Sequence, residues 1–313
     1  MRKAALLYNP DSGGSRKRQR ELESAVGILR GAEVETELIP TKSPAHAGQE
    51  AQRAIANRCD TIFACGGDGT IHNIVQVLAG TQTALAVLPT GTANALAHDL
   101  GLPMHVPSAA KAVLSGTLRR VALGRISYLD LTGNSAERYF VIAAGMGVDA
   151  HLFYQLRSEL KQRMGMNAYY AKAWHLWFSY AMPRFLAEFV TTGESSLQTM
   201  SVTELLSVRI ANFGGVLREL APGASLDRDD MRLILCRTAS RAAYLAYVAR
   251  GLFGVRWSVP GIDVVSSQRV SCRSEDPSAQ EKIYVEADGE LLGTLPAELT
   301  IVPDALTVLA PSH

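Results

Sequence analysis

Cys65-Gly66-Gly67-Asp68-Gly69-Thr70 follows a short apolar run and opens a helix-like segment, and a second turn, Pro89-Thr90-Gly91-Thr92-Ala93-Asn94, follows the next apolar run. Glycines at that spacing let backbone N–H groups approach an anion, and a helix starting behind them directs its positive end to the same place. Their density argues for ligand contact rather than packing, and the anion that suits such a cradle is a nucleotide phosphate. The chain contains neither Gly-x4-Gly-Lys-[Ser/Thr] nor Gly-x-Gly-x-x-Gly, which excludes the Walker-type phosphate loop and the dinucleotide fingerprint. Asp68, between two glycines, has two readings: a ligand for Mg2+ or a sugar hydroxyl, or an N-cap of the helix behind it. Thr92 and Asn94 stand where a hydroxyl and an amide can hydrogen-bond a bound group, and Asn94 suits an N-cap equally well. A third turn, Asn9-Pro10-Asp11-Ser12-Gly13-Gly14, leads straight into Arg16, Lys17, Arg18 and Arg20. Cations in the first turns of a helix oppose its dipole, so either an anion lies nearby or this is a solvated basic face.

Each turn needs a strand before it and a helix after it. Ala4–Tyr8 reads as a buried strand, and residues 16–30 as a helix with Leu22, Val26 and Leu29 on one face. The theme recurs with Val34–Ile39, Thr61–Ala64 and Leu85–Leu88 as strands and with Ala45–Asn57, Ile71–Leu78 and Asn94–Leu100 as helices. Such alternation predicts a parallel sheet covered by helices, with ligands at the carboxyl ends of its strands, where all three turns fall. After Gly116 the rhythm changes to strands joined by turns: Val121–Leu131, Arg138–Ala144, Val202–Ala211, Met231–Arg237, Ile262–Ser267, Val270–Arg273, Ile283–Ala287 and Leu299–Val302. Helical stretches over residues 150–187 and 240–255 interrupt this second, largely β, domain.

A chain of 313 residues with 47% hydrophobic content can bury a core large enough for two domains. Its formal net charge of +1 gives no reason to expect a nucleic-acid partner. The four cysteines form no Cys-x-x-Cys pair and the seven histidines show no ligand spacing, so reduced thiols in the cytoplasm are expected. Met1-Arg2-Lys3 precedes too few apolar residues for a signal peptide, and no apolar run approaches a membrane span.

Six ordered motifs carry a family resemblance: Asn9-Pro10-x-Ser12-Gly13, Thr41 with His46-Ala47, Gly66-Gly67-Asp68-Gly69-Thr70 with Asn73, Pro89-x-Gly91-Thr92-Ala93-Asn94, Ala144-Gly145-x-Gly147-x-Asp149-Ala150, and Asp288-Gly289-Glu290. From residue 4 to about residue 309 the chain resembles the soluble bacterial lipid kinases of the diacylglycerol kinase catalytic-domain family. The resemblance implies a fold of α/β plus β. Residues 1–120 would form an ATP-binding domain like that of NAD kinases and phosphofructokinases. Residues 121–303 would form a lipid-binding β-sandwich, and the final strand, residues 304–313, would return to the first domain. It implies an ATP- and Mg2+-dependent kinase acting on a hydroxyl of a diacylglycerol-like or sphingoid lipid. Nucleotide contacts are implied at Asn9, Ser12, Gly13, Thr41, Gly66, Gly67, Asp68, Gly69, Thr70, Asn73 and Thr92, with the proton acceptor in Asp288-Gly289-Glu290. One departure concerns a structural Mg2+ of the second domain. Pro222-Gly223-Ala224-Ser225-Leu226 leads into Asp227-Arg228-Asp229-Asp230, which puts Arg228 at the position of the metal-binding Asp. Either Asp227 or Asp230 replaces that ligand, or the guanidinium takes over the role of the cation.

Phosphoryl transfer needs phosphates held in line, charge neutralisation and a base for the alcohol proton. Asp68 would hold Mg2+ directly or through water. Asp288 and Glu290, on one side of an extended segment, would divide the remaining work, with Glu290 favoured as base and Asp288 second. The bland alternative is an Asp-Gly hairpin turn with Glu290 exposed. Asp149 is a lesser candidate for support. Residues 169–185 combine Tyr169, Tyr170, Trp174, Trp177, Phe178, Tyr180 and Phe185 with Lys172 and Arg184, and Lys161 and Arg163 lie just before them. This mixture fits a helix packed on the sandwich and equally a membrane interface, where rings sit at headgroup level. Arg241–Trp257 repeats the pattern more weakly. A cytoplasmic protein in transient peripheral contact with the membrane is expected, with homodimerisation open. Two rival functions are a kinase of a soluble substrate such as NAD, and a nucleotide- or lipid-binding protein without catalysis.

Overall fold

Strands and helices alternate through the first 114 residues of the computed structural model, which describes residues 1–10, 16–155, 180–214, 220–253, 257–276, 278 and 282–311. Ser12 and Gly13 lie outside the described residues, as do Lys161, Arg163, Tyr169, Tyr170, Lys172, Trp174, Trp177 and Phe178 of the aromatic stretch. β1 (Lys3–Tyr8), β2 (Glu35–Pro40), β3 (Thr61–Gly66) and β4 (Ala84–Pro89) pair in parallel in the order β2-β1-β3-β4. Every residue of β3 and β4 is buried, as in strands covered on both faces. The covering helices are α1 (Arg16–Gly31), α2 (Pro44–Ala56), α3 (Asp68–Leu78), α4 (Ala95–Asp99) and α5 (Val106–Leu114). Leu22, Val26 and Leu29 of α1 face the core, as their spacing predicts. No sequence signal had marked α5, which opens with a proline in its first turn.

The second half is antiparallel. It comprises β5 (Thr117–Asp130), β6 (Ser135–Phe140), β7 (Ala143–Gly147), α6 (Val148–Gln155), β8 (Phe185–Thr191), β9 (Leu197–Val202), β10 (Glu204–Val208), β11 (Met231–Cys236), α7 (Arg241–Phe253), β12 (Ile262–Ser274), β13 (Tyr284–Ala287) and β14 (Glu290–Ala310). Phe140, Phe185, Phe189, Leu233 and Val270 build its core. β14 serves both halves. Its first residues pair with β13, its middle with β5 and β12, and near its end Thr307 and Val308 pair in parallel with Ala84 and Leu85 of β4.

Several boundaries differ from expectation for identifiable reasons. The run 138–144 is two strands, because the N–H groups of Val141, Ile142 and Ala143 donate to the Asp288 carboxylate. Residues 262–267 and 270–273 belong to one strand, β12, whose pairing with β8 shifts register between them, where the Ser267 hydroxyl donates to the carbonyls of Val190 and Arg269. The run 202–211 breaks at Thr203, which turns its N–H and hydroxyl to the Cys236 carbonyl. β8 and β9 add to the expected strands, and β8 takes Phe185 from the end of the expected helix. Its Phe185, Ala187 and Phe189 alternate inward, a strand period that the preceding aromatic residues obscure. Tyr180 is buried against Val148 and Met182.

Deleting Asp304 onward should prevent folding. Leu306, Val308 and Leu309 are buried in the first-half core, each contributes about 1.5–3 kcal/mol, and net stabilities are only about 5–15 kcal/mol. A soluble truncated protein with a cooperative melt near that of the full chain would contradict this.

Candidate active site

Both glycine turns leave neighbouring parallel strands at their carboxyl ends, and they touch. A Cβ on Gly91 would fall inside van der Waals contact of the Gly67 Cα and 2.8 Å from Asn94 Oδ1, and a Cβ on Gly67 would stand 3.2 Å from the Gly91 Cα. Neither glycine has a positive φ, so it is the closeness of the two backbones, not a special dihedral, that demands glycine at position 91 and leaves little room at 67. The expectation that these glycines do not serve packing is therefore corrected. Gly67 and Gly91 pack on each other, and Gly66 leaves room for the Thr70 side chain.

Asn94 stands at the N-cap of α4 but makes no side-chain capping bond, and Asp68 is not a cap of the helix it opens. Asn94 adopts φ 51° and folds back, its Nδ2 donating to the Gly91 carbonyl at 3.0 Å and its Oδ1 accepting from the Gly91 N–H at 2.9 Å. Asp68 does not cap α3, whose N-cap is Gly67. Its carboxylate accepts from the N–H groups of Ala95 at 3.2 Å and Leu96 at 3.4 Å, at the start of α4, and so ties the first turn to the second. Burial pushes the Asp68 carboxyl above the usual carboxylate range, the two N–H groups oppose this, and neighbouring Asp288 adds to it.

Around the turns lie features suited to an anion. A cavity of about 490 Å3 is bordered by Lys17, Arg18, Gly91, Thr92, Asn94 and His98, so two of the four cations opening α1 do border the second turn. Thr41, at the end of β2, is buried, and its hydroxyl has no hydrogen-bond partner among the described residues. Its N–H donates to the carbonyl of Tyr8, beside Asn9. Asn73 donates to the Gly69 carbonyl at 2.9 Å and braces the loop from within its helix. Asn9, Thr41, Gly66 to Thr70, Asn73 and Thr92 thus lie along the carboxyl-end rim of the parallel sheet.

Asp288 and Glu290 reach this rim from the second half, but not on one strand face. Asp288 and Gly289 have φ 51° and 81° and form the β13–β14 hairpin turn, with Ala287 paired to Glu290. The two side chains diverge. The Asp288 carboxylate is buried and accepts from the N–H groups of Val141 at 3.1 Å, Ile142 at 2.8 Å and Ala143 at 3.2 Å, with His72 Nδ1 at 3.2 Å. Glu290 is exposed, and its Oε1 stands 2.7 Å from where a Gly69 Cβ would be, directly over the phosphate loop. Although the residue as a whole is exposed, its carboxyl overhangs the loop, and partial desolvation pushes it up, with His72 opposing the shift and Asp288 adding to it.

Sequence reasoning missed a support of this turn, Glu286, and a buried pair of carboxyls at the start of α6. Glu286 Oε2 accepts from the Gly289 N–H at 2.9 Å. Glu204 accepts from the Val148 and Asp149 N–H groups at the start of α6 and shares a hydrogen bond with the Asp149 carboxyl. Burial pushes the Asp149, Glu204 and Glu286 carboxyls upward, and the nearby Asp149 charge adds to the shift of Glu204 and Glu286. The Gly145-x-Gly147-x-Asp149 motif is the signal for part of this cluster, since Gly145 leaves the space that the Asp149 carboxylate fills.

Two cation sites follow from the resemblance, and they differ in fit. Asp68, near a second buried carboxylate and accepting long bonds from the Ala95 and Leu96 N–H groups, has the donor chemistry for Mg2+. The segment at 227–230 does not. Arg228 clasps Asp230 through Nε at 2.6 Å and Nη2 at 2.5 Å, Asp227 is paired with Arg119, and buried Arg209 donates to the carbonyls of Asp230, Ala122 and Leu226. Asp227 and Asp230 are thus corrected as metal ligands, because guanidinium groups already neutralise them.

A family model described as the diacylglycerol kinase catalytic domain matches residues 3–126, and one described as the YegS C-terminal NAD kinase beta sandwich-like domain matches residues 143–310. The chain is 28% identical over its whole length to a diacylglycerol kinase of Bacillus subtilis (strain 168), covering 98% of that protein. A Bacillus anthracis str. Sterne protein solved as a candidate diacylglycerol kinase superposes with a TM-score of 0.76 at 20% identity, covering 99% of this chain and 95% of the other. Yeast NADH kinase complexed with NADH superposes at 0.50 and 10% identity, over 100% of this chain and 84% of its own, which shows the fold alone.

Gly91→Ala must separate the two turns and should lose both melting temperature and nucleotide-induced stabilisation, whereas Gly69→Ala meets only the flexible end of Glu290 and should keep both. Thermal melts with and without ATP check this, and equal behaviour of the two variants would contradict it. With Arg228 in place of a metal, EDTA should leave the melting temperature of the nucleotide-free protein unchanged, while Arg228→Ala should lower it. A clear EDTA-induced drop in the unaltered protein would restore the metal.

Proposed function

Because the chain belongs to the diacylglycerol kinase catalytic-domain family, we propose that it is an ATP- and Mg2+-dependent lipid kinase. It transfers the γ-phosphoryl group to a hydroxyl of a diacylglycerol-like or sphingoid lipid at the cytoplasmic membrane surface. The observation that carries this reading is the placement of the exposed Glu290 carboxylate, supplied by the second half, over Gly69 of the phosphate loop supplied by the first.

In this reading the N–H groups of Gly66, Gly67 and Gly69 hold phosphate oxygens, with Lys17 and Arg18 balancing their charge. Asp68 would hold Mg2+, which supplies charge neutralisation on the transferring group. Glu290 takes the proton of the lipid hydroxyl. Its upward-shifted carboxyl is a better acceptor near neutrality than a fully solvated glutamate, since a base works best with a pKa near the operating pH. Asp288 is anchored by three amides and His72 with no exposed side chain, and serves as the support of the turn. Peripheral membrane contact is supported by α7, where Leu245, Val248, Leu252 and Phe253 are exposed on a helix that also carries Arg241 and Arg250. No helix among the described residues is long and apolar enough to cross a membrane.

Glu290→Gln should keep ATP affinity and melting temperature while lowering turnover on detergent-dispersed diacylglycerol by about 10²–10⁴-fold. Asp288→Asn should instead lower the melting temperature, because the buried amides lose their anionic acceptor. Wild-type turnover by Glu290→Gln would move the base elsewhere.

A further inference from the structure

Helix α3 holds the phosphate loop at its start and touches the second half through two polar side chains one turn apart. Gln76 exchanges two bonds with the Tyr139 backbone, Nε2 donating to its carbonyl and Oε1 accepting from its N–H, both at 2.9 Å. His72 places Nδ1 3.2 Å from Asp288 Oδ2, with both side chains almost completely buried. Residues i and i+4 lie on one helical face, so this face of α3 is a polar seam. The His72 bond differs from that of Gln76 in what it holds. Its partner sits two residues before Glu290, in a turn gripped on its other sides by Val141, Ile142, Ala143 and Glu286.

We infer that His72 is a positioning residue: its bond to Asp288 fixes the hairpin turn that carries Glu290 against the helix that carries the phosphate loop. Catalytic geometry tolerates little error, and a displacement of an ångström is enough to cost turnover. Without this bond the hydrogen bonds described at the turn all come from its own half of the molecule. The electrostatics agree, since His72 and Asp288 both act on the Glu290 carboxyl, in opposite directions. The inference depends on Glu290 being the base.

The test compares His72→Leu, which keeps the bulk and removes the donor, with His72→Asn, which restores a donor near the position of Nδ1. Each is made alone and in the Glu290→Gln background. His72→Leu should lower kcat about tenfold, within the range found for coupled neighbours, with ATP affinity unchanged. His72→Asn should recover most of that loss, and His72→Leu should add nothing once Glu290 is replaced. If His72→Leu does not fold, His72→Met serves the same comparison. Wild-type kcat in His72→Leu, or an equal loss in both backgrounds, overturns the inference and leaves the base assignment standing. A fully active Glu290→Gln protein overturns both.

Discussion

One buried carboxylate organises the meeting of the two halves. Asp288 carries its negative charge out of water and is compensated by three consecutive N–H groups at 141–143 and by His72. Hydrogen bonds to a charged acceptor are roughly twice as strong as neutral ones, and leaving such a charge unpaired would be severely destabilising. That requirement reaches outward. It interrupts what would be a continuous β6–β7 strand, holds Asp288 in a left-handed conformation uncommon for a residue with a side chain, and aims the next carboxylate, Glu290, at the phosphate loop.

A second constraint is steric. Gly67 and Gly91 let two turns from adjacent strands meet backbone to backbone, and Asn94 and Asp68 then lock them with side-chain bonds to Gly91 and to the α4 amides. The phosphate cradle is therefore a composite of two loops. Its rigidity comes from a contact that admits no Cβ. β14 gives the matching continuity on the other side: it starts at Glu290 and ends in the parallel sheet that carries the cradle.

Much of the fold was legible because the signals are local. Period and turn chemistry placed β1 to β4 and α1 to α3, and the motif order indicated the family. What escaped depended on partners distant in sequence. Nothing near residue 141 reveals that its N–H serves Asp288, so the sequence alone reads as one strand through the break. The Asp-Gly turn could be read as hairpin or as catalytic segment, and both hold in part: Asp288-Gly289 is a turn, and only Glu290 faces the loop. Asp68 reads as a ligand for a bound group or as a cap for its own helix, and its carboxylate binds the start of another helix, 27 residues on. At 227–230 the substitution was visible, but the structure was needed to show Arg228, Arg119 and Arg209 closing the site to a metal.

The most direct test of lipid phosphorylation is transfer of radiolabel from [γ-32P]ATP in the presence of Mg2+, offered a panel of diacylglycerol, a sphingoid base, ceramide and NAD, with products identified by mass. The account predicts label in a lipid product only. Label in NAD, or no transfer to any acceptor by protein that binds ATP, would contradict it.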